Sequence, residues 1–243
     1  MAHADFNPDN PKNVFKNDSK LIELGNAILS EDLGRIKLLI NQNHELLNGI
    51  GLYQITPLMF ATLNQRPRAI DLLIRLGADP FQVTSEEANL GSPISFALRA
   101  TKGADLLTVM LKAGASIEGG RDGLEEPLLF SAIMLPRDQR LKQLIAAGAN
   151  LNIADSVGAT AVINAVDSFQ YEKAELLLQH GANPFLGRDN ILVSLIEDHN
   201  KWATGTPNDL GRRRLIARLR EMGMTEETVM QPAPTREQLR SKK

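Results

Sequence analysis

The chain has 243 residues, 43% of them apolar, with 27 Lys and Arg against 29 Asp and Glu. That suits one or two ordinary domains, or a single repeat array. A net charge of −2 gives no electrostatic pull toward nucleic acid or an anionic membrane. Aromatic residues are only 5%, which argues against base-stacking platforms, and cysteine is absent. Without cysteine there are no disulfides, thiolate metal sites or cysteine nucleophile, and the redox compartment stays open. No apolar run reaches the roughly 20 residues of a membrane span.

In chain order, Ala2-His3-Ala4 has the small-x-small form of a signal-peptidase site, with no basic or apolar stretch before it. It reads either as the remnant of a removed leader or as an ordinary start that happens to hold two alanines. Residues 1–19 are expected to form an arm. LIELGNAILSEDLGRIKLLINQN, at 21–43, alternates as two short helices and reads as an N-terminal cap. Then come TPLMFA at 56–61, SPISFA at 92–97, EPLLFSA at 126–132 and TAVINA at 160–165. Between them stand LLIRLGADPF (72–81), VMLKAGASIE (109–118), QLIAAGANLN (143–152) and LLLQHGANPF (176–185), with a worn copy, RLREMGM, at 218–224.

Gly77, Gly114, Gly148, Gly181 and Gly223 keep time at spacings of 37, 34, 33 and 42 residues. Self-similarity near 33 marks a stacked repeat array. The phrases have physical jobs. Thr56-Pro57 starts a helix, because the hydroxyl caps free amides and proline at the first position sacrifices no hydrogen bond. A second helix carries a leucine stripe, and glycine ends it where the chain needs positive φ. Each repeat is therefore helix–turn–helix–loop and buries its stripe only against its neighbours. The repeats fall at about 20–51, 52–85, 86–119, 120–153, 154–186 and 187–224, an all-α array over 20–224. In the last, ATGTPNDLG (203–211) is a long polar loop, and Arg212, Arg213, Arg214, Arg218 and Arg220 give a charged closing helix. Residues 225–243 are expected to be a frayed tail.

With phase and both phrases agreeing, the chain resembles ankyrin-repeat proteins. The resemblance implies an L-shaped stack with projecting loop fingers, whose partners bind on the fingers and inner helices. A narrower resemblance rests on NVFKNDSKLIELGNAILSEDLGRIKLLI, TPLMFA, the variant GAS, EPLLFSAI and the late Trp202. These together are similar to bacterial ankyrin-type immunity proteins encoded beside phospholipase effectors of type VI secretion systems. That resemblance implies a periplasmic protein that neutralises a co-encoded lipase by occluding its active-site mouth or lid. The alternative is a cytosolic ankyrin adaptor for another protein. Glu126 in place of Thr and Ala161 in place of Pro depart from the repeat pattern without favouring a subfamily.

Chemistry is not expected. His3, His44, His180 and His199 show no paired metal spacing, and no nucleophile elbow, P-loop or dinucleotide fingerprint is present. His180, just before Gly181, suits a helix C-terminus. Gly119-Gly120 followed by Arg121-Asp122-Gly123 reads as a finger turn. The arginine run reads as a solvated face in a chain that is not basic. No enzyme activity, cofactor or metal is expected, and the free protein is expected to be a monomer that takes a protein partner. Counting along the repeat, finger tips and exposed inner-helix ends fall at Leu52, Tyr53, Ile55, Leu63 and Asn64, then Asn89, Leu90, Arg99 and Ala100. They continue at Arg121, Asp122, Leu124, Glu125, Ile133 and Met134, then Ser156, Val157, Asp167 and Ser168. Tyr53, Leu63, Leu90, Ile133 and Met134 are apolar at such positions and are expected to form a strip for a partner.

Overall fold

In the computed structural model, residues 8–119, 127–235 and 238–239 are described. Ala2-His3-Ala4, Gly120, Arg121, Asp122, Leu124, Glu125 and Glu126 lie outside them. The described residues hold thirteen α-helices and no named strand. The chain divides into two compact halves, Met1–Ser116 and Ile117–Lys243. A repeat array makes contacts only between neighbours, so such a division is in its nature.

The first half contains α1 (Pro11–Phe15), α2 (Ser19–Leu29), α3 (Leu33–Gln42), α4 (Pro57–Leu63), α5 (Pro67–Arg75), α6 (Pro93–Arg99) and α7 (Leu106–Ala113). Hairpins α2–α3, α4–α5 and α6–α7 stack so that α2, α4 and α6 form an inner layer and α3, α5 and α7 an outer one. Leu24, Ile28, Leu58, Phe60 and Ile94 meet Ile36, Leu39, Ile70, Leu73 and Met110 in a core without solvent access beyond 1%. The expected helix starts are present. Thr56 Oγ1 accepts from the Met59 amide at 3.2 Å and Ser92 Oγ from the Ser95 amide at 3.3 Å.

Residues 11–15 are not a free arm. Val14 and Phe15 are 0% and 3% exposed, and the Phe15 ring lies 5.4 Å from that of Phe60. Glycine makes this possible at two close approaches. A Cβ on Gly25 would come within 2.7 Å of Pro11 Cβ, and one on Gly51 within 2.7 Å of the Val14 carbonyl. α1 thus seals the end of the first half. Asn10 caps it by accepting from the Lys12 amide.

The second half contains α8 (Leu128–Met134), α9 (Gln139–Ala146), α10 (Ala161–Asp167), α11 (Tyr171–Gln179), α12 (Ile191–Glu197) and α13 (Pro207–Glu221). Here α8, α10 and α12 form the inner layer, and α13 packs on α11 outside. Phe130, Ile133, Val162, Ile163, Leu192 and Leu195 meet Leu141, Leu144, Leu177 and Leu215 in its core. All five pacing glycines have positive φ, between 86° and 108°. At Gly114, Gly148, Gly181 and Gly223 nothing lies within 4 Å of an added Cβ. Glycine is therefore required at these four for its conformation and not for space.

The arginine helix is a solvated face, as expected, at Arg213, Arg214, Arg218 and Arg220, and departs from one at a single position. Arg212 is 6% exposed, donating to the Leu195 carbonyl at 2.8 Å and to Asp209 Oδ1 at 3.2 Å. Arg213 pairs with Asp209, Arg214 with Glu172 and Glu175, Arg218 with Glu221 and Arg220 with Glu226. Each arginine of the run thus has an acidic neighbour within its own half. Nor is residue 225 the start of a frayed end. Asn190 Nδ2 holds the Thr225 carbonyl at 2.9 Å, and Gln231 and Thr235 pair in parallel with Leu186 and Ala154.

Candidate partner-binding face

In the first half, two loops carry the expected finger residues. Gly51 donates its amide to Ile55 O at 2.9 Å, closing a tight loop that contains Leu52 and Tyr53. Tyr53 and Gln54 take φ of 57° and 58°, a region disfavoured for residues with a Cβ. The next finger is pinned where Thr84 donates both its amide and its hydroxyl to the Gly91 carbonyl. The loops are tied by the Ser85 amide bonding to Tyr53 O at 2.9 Å.

Leu52, Tyr53, Leu63, Asn64 and Leu90 are each half-buried, and Asn89 is exposed at φ 50°. Asn64 is also occupied, since its Nδ2 donates to Pro8 O and to Phe60 O, each at 3.0 Å. Arg99 is exposed, yet its guanidinium donates to Leu90 O at 2.8 Å and so braces its own finger. Ile55 is 0% exposed and belongs to the core, so it does not present to a partner. Repeat counting passed over Ile50 and Val83, which are 62% and 46% exposed in these same loops. Their only signal was a bulky β-branched residue beside a finger turn.

In the second half, Ser156 and Val157 stand at a finger tip. Asp155 Oδ1 shapes it by accepting from the amides of Val157 at 2.9 Å and Ala159 at 2.8 Å. Val157 is 61% exposed, and Met134, at the end of α8, is 60% exposed. Ile133 is 0% exposed, which corrects its place on the expected strip. It points into the core because adjacent helical residues face about 100° apart, and Met134 takes the outward direction. Asp167 pairs with Arg188 Nη2 at 2.9 Å. Burial raises the Asp167 pKa, and the Arg188 charge opposes that shift.

Sequence reasoning missed a groove of about 800 Å³ at the turns joining inner to outer helices of the second half. Ser168, expected on the partner face, lines it instead, together with Arg137, Phe169, Tyr171, Lys173 and Trp202. Trp202 stands edge-on to Phe169 at 5.4 Å, and its Nε1 donates to the Tyr171 hydroxyl at 3.3 Å. Lys201 Nζ lies 4.9 Å from the Phe169 ring centre. This tryptophan therefore joins the long last loop to the preceding repeat.

Lys173 is 6% exposed and donates to the carbonyls of Ile133 and Leu135. Those are free acceptors at the end of α8, and no glycine follows there to satisfy them. Burial lowers the Lys173 pKa, with Asp138 opposing. The lysine is thus committed to holding a helix end. His180 Nδ1 similarly contacts Leu176 O at 2.9 Å at the end of α11. Among the described residues, no group of three or more His, Asp and Glu side chains could hold a metal ion, and no helix is long and apolar enough to cross a membrane.

Helical hairpins repeating about every 33 residues and glycine-ended outer helices define an ankyrin-repeat fold. Comparison with known proteins agrees. No protein-family model matches the chain. It is 32% identical over 97 residues to a putative ankyrin repeat-containing protein of Treponema pallidum, covering 40% of this chain and 32% of that one. It is 29% identical over 107 residues to Protein PhlB of Serratia liquefaciens, covering 44% of this chain and 45% of that one. The matched stretches span less than half the length of either relative.

Among solved structures, the ankyrin repeat domain of Bcl-3, a member of the IkappaB protein family, superposes with a TM-score of 0.58 at 22% identity. That match covers 83% of this chain and 86% of that one. An ankyrin repeat domain from Acinetobacter baumannii AYE gives 0.56 at 25% identity, covering 83% and 98%. The fold is that of an ankyrin repeat domain.

Proposed function

We propose that this chain is a non-catalytic binding protein that captures a protein partner on its finger loops and exposed helix ends. The observation that carries this reading is the exposure, within the second half, of Met134 at a helix end and Val157 on a braced finger, with Ile50 and Val83 likewise exposed on the first half's own loops. Large apolar side chains in water are unfavourable unless something covers them. Fingers held by Thr84–Gly91 and by Asp155 lose little freedom on binding, which favours tight capture. The partner proposed is a co-encoded phospholipase effector of a type VI secretion system. Its active-site mouth would be covered, and the pair would meet in the periplasm. Support for that partner comes from the resemblance carried by the opening helices, the EPLLFSAI repeat and Trp202.

The test is co-purification with the phospholipase encoded by the neighbouring gene, followed by the mass of the complex and an activity assay. Full inhibition at equimolar protein is expected. A phospholipase that stays active in excess protein sinks the proposed partner. The face itself is tested by Met134→Asp with Val157→Asp. Capture should weaken at least about tenfold with unchanged helical circular dichroism, the size expected for loss of apolar anchors. Unchanged capture would remove this face. A cytosolic adaptor would show capture of a different protein by the same residues and no inhibition of the lipase.

A further inference from the structure

After α13 the chain begins what would be a seventh finger and then turns back across the two fingers before it. Met224 is the last core residue among those described, 1% exposed. Thr225 to Thr228 form a turn in which the Thr228 amide bonds to Thr225 O at 3.1 Å and the Thr225 amide to Thr228 Oγ1 at 2.8 Å. Asn190, the N-cap of α12, clasps this turn through the carbonyls of Thr225 and Thr228.

The chain then pairs with finger main chain. The Gln231 amide donates to Phe185 O at 2.9 Å, and Gln231 O accepts from the Gly187 amide at 2.8 Å. Further on, Pro234 O accepts from the Ala154 amide at 3.0 Å, and Thr235 bridges Ala154. Both bridges are parallel, and the fingers they join are one repeat apart.

The tail's side chains are divided between water and the fingers, with Met230, Ala233, Pro234 and Thr235 half-buried. Val229 is 87% exposed, Gln231 and Pro232 are exposed, and no residue from 225 to 235 is in the core. Pro232 and Pro234 have no amide to donate, and Pro234 serves only through its carbonyl. The hydrogen bonds by which Ala154, Phe185 and Gly187 hold the tail all go to its extended main chain. A sheet-like edge of that kind takes an extended chain, and it tolerates proline at positions that donate no bond. Ala154 opens the finger whose tip is Ser156–Val157, and the Arg188 amide beside Gly187 bonds to Gly158 O at 3.0 Å. The tail thus lies against the fingers that the proposed partner face uses.

We propose that the finger edge formed by Ala154, Phe185 and Gly187 is a docking site for an extended, proline-containing protein segment, and that residues 229–235 are its resident, displaceable occupant. A partner's extended segment enters by displacing the tail, so the tail competes with the partner. This deepens the protein-binding reading and rests on it for the incoming segment.

A labelled peptide with the sequence of residues 229–239 tests the site without any partner. On the full chain, excess peptide is expected to speed exchange of the chain's own Gln231 amide, read by NMR. Ala154 and Gly187 should stay protected, because the peptide carbonyls replace those of the tail. The full-length Gln231→Pro chain lacks the bond to Phe185 and should take the peptide at least tenfold more tightly than the unaltered chain. The site is overturned if the peptide changes no exchange rate in either chain, or if both chains bind it equally. Peptide uptake without phospholipase inhibition would sink the proposed partner and leave the site standing. Inhibition without peptide uptake would sink the site alone.

Discussion

The two halves are closed by different physics. The first is sealed by apolar side chains, with Val14 and Phe15 laid on the hairpin that holds Phe60. The second is sealed by charge and main chain. Each charged side chain among the buried residues described, Lys173, Asp209 and Arg212, lies there, and the tail adds backbone bonds to two fingers. Among the described residues of the first half, the buried polar ones are Thr and Ser. A stack of repeats must hide the apolar stripe of its terminal hairpin, which the first half does with hydrocarbon and the second by saturating polar groups. The first solution is insensitive to pH and salt, and the second is not.

The largest effect is expected where the seal is hydrocarbon. Phe15→Ala should lower stability in urea by about 3–5 kcal/mol, because it opens a cavity beside Phe60. A loss below about 1 kcal/mol would show that α1 is dispensable. Next, Lys173→Met keeps the apolar stem but leaves the Ile133 and Leu135 carbonyls without a donor. The cost expected for buried unsatisfied groups is about 1–3 kcal/mol, measured the same way, and no loss would mean that water takes the place of the ammonium.

Acid sharpens the contrast further. The Gly205 amide and then Arg213 and Arg212 hold the Asp209 pKa at about 2, below the ordinary 3.8. A carboxyl depressed on folding adds stability that is complete above the ordinary value and is lost as pH falls through the folded one. Thermal unfolding followed from about pH 5 to pH 2 should therefore show an acid-sensitive component that Asp209→Asn flattens. Phe15→Ala should leave that component unaltered. If Asp209→Asn leaves the acid limb unchanged, charge does not close the second half. The smallest effect belongs to the exposed pairs. Arg214→Ala, which faces Glu172 and Glu175, should cost less than about 0.5 kcal/mol and vanish in high salt. A larger loss would mark α13 as held by its outer charges.

Most of the repeat frame was readable in advance. Thr56, Ser92 and Thr160 cap helices as their phrases imply, and five glycines end outer helices at positive φ. These are local requirements, set by a few residues in sequence. The partner face was only partly readable. Counting placed Met134 and Val157 outward, but it also placed Ile55 and Ile133 there, where both are fully buried. A phrase counted in sequence does not report which neighbouring repeat covers a given side chain. Lys173 was missed for the same reason, since its acceptors lie 38 and 40 residues earlier.

What the sequence determined by itself was the beat: where helices start, where they stop and how many hairpins there are. Capping hydroxyls, proline and glycine act within one turn of chain, so their effect is legible without knowing what packs on them. Tertiary structure alone decided how the ends are closed. Whether residues 11–15 and 225–235 stay free depends on surfaces assembled from distant repeats. Gly25 and Gly51 admit the first segment by removing a Cβ, and the amides of Ala154 and Gly187 hold the second. Those amides and the space left by those glycines exist as a site only after the hairpins have stacked, because only then do several repeats present them side by side.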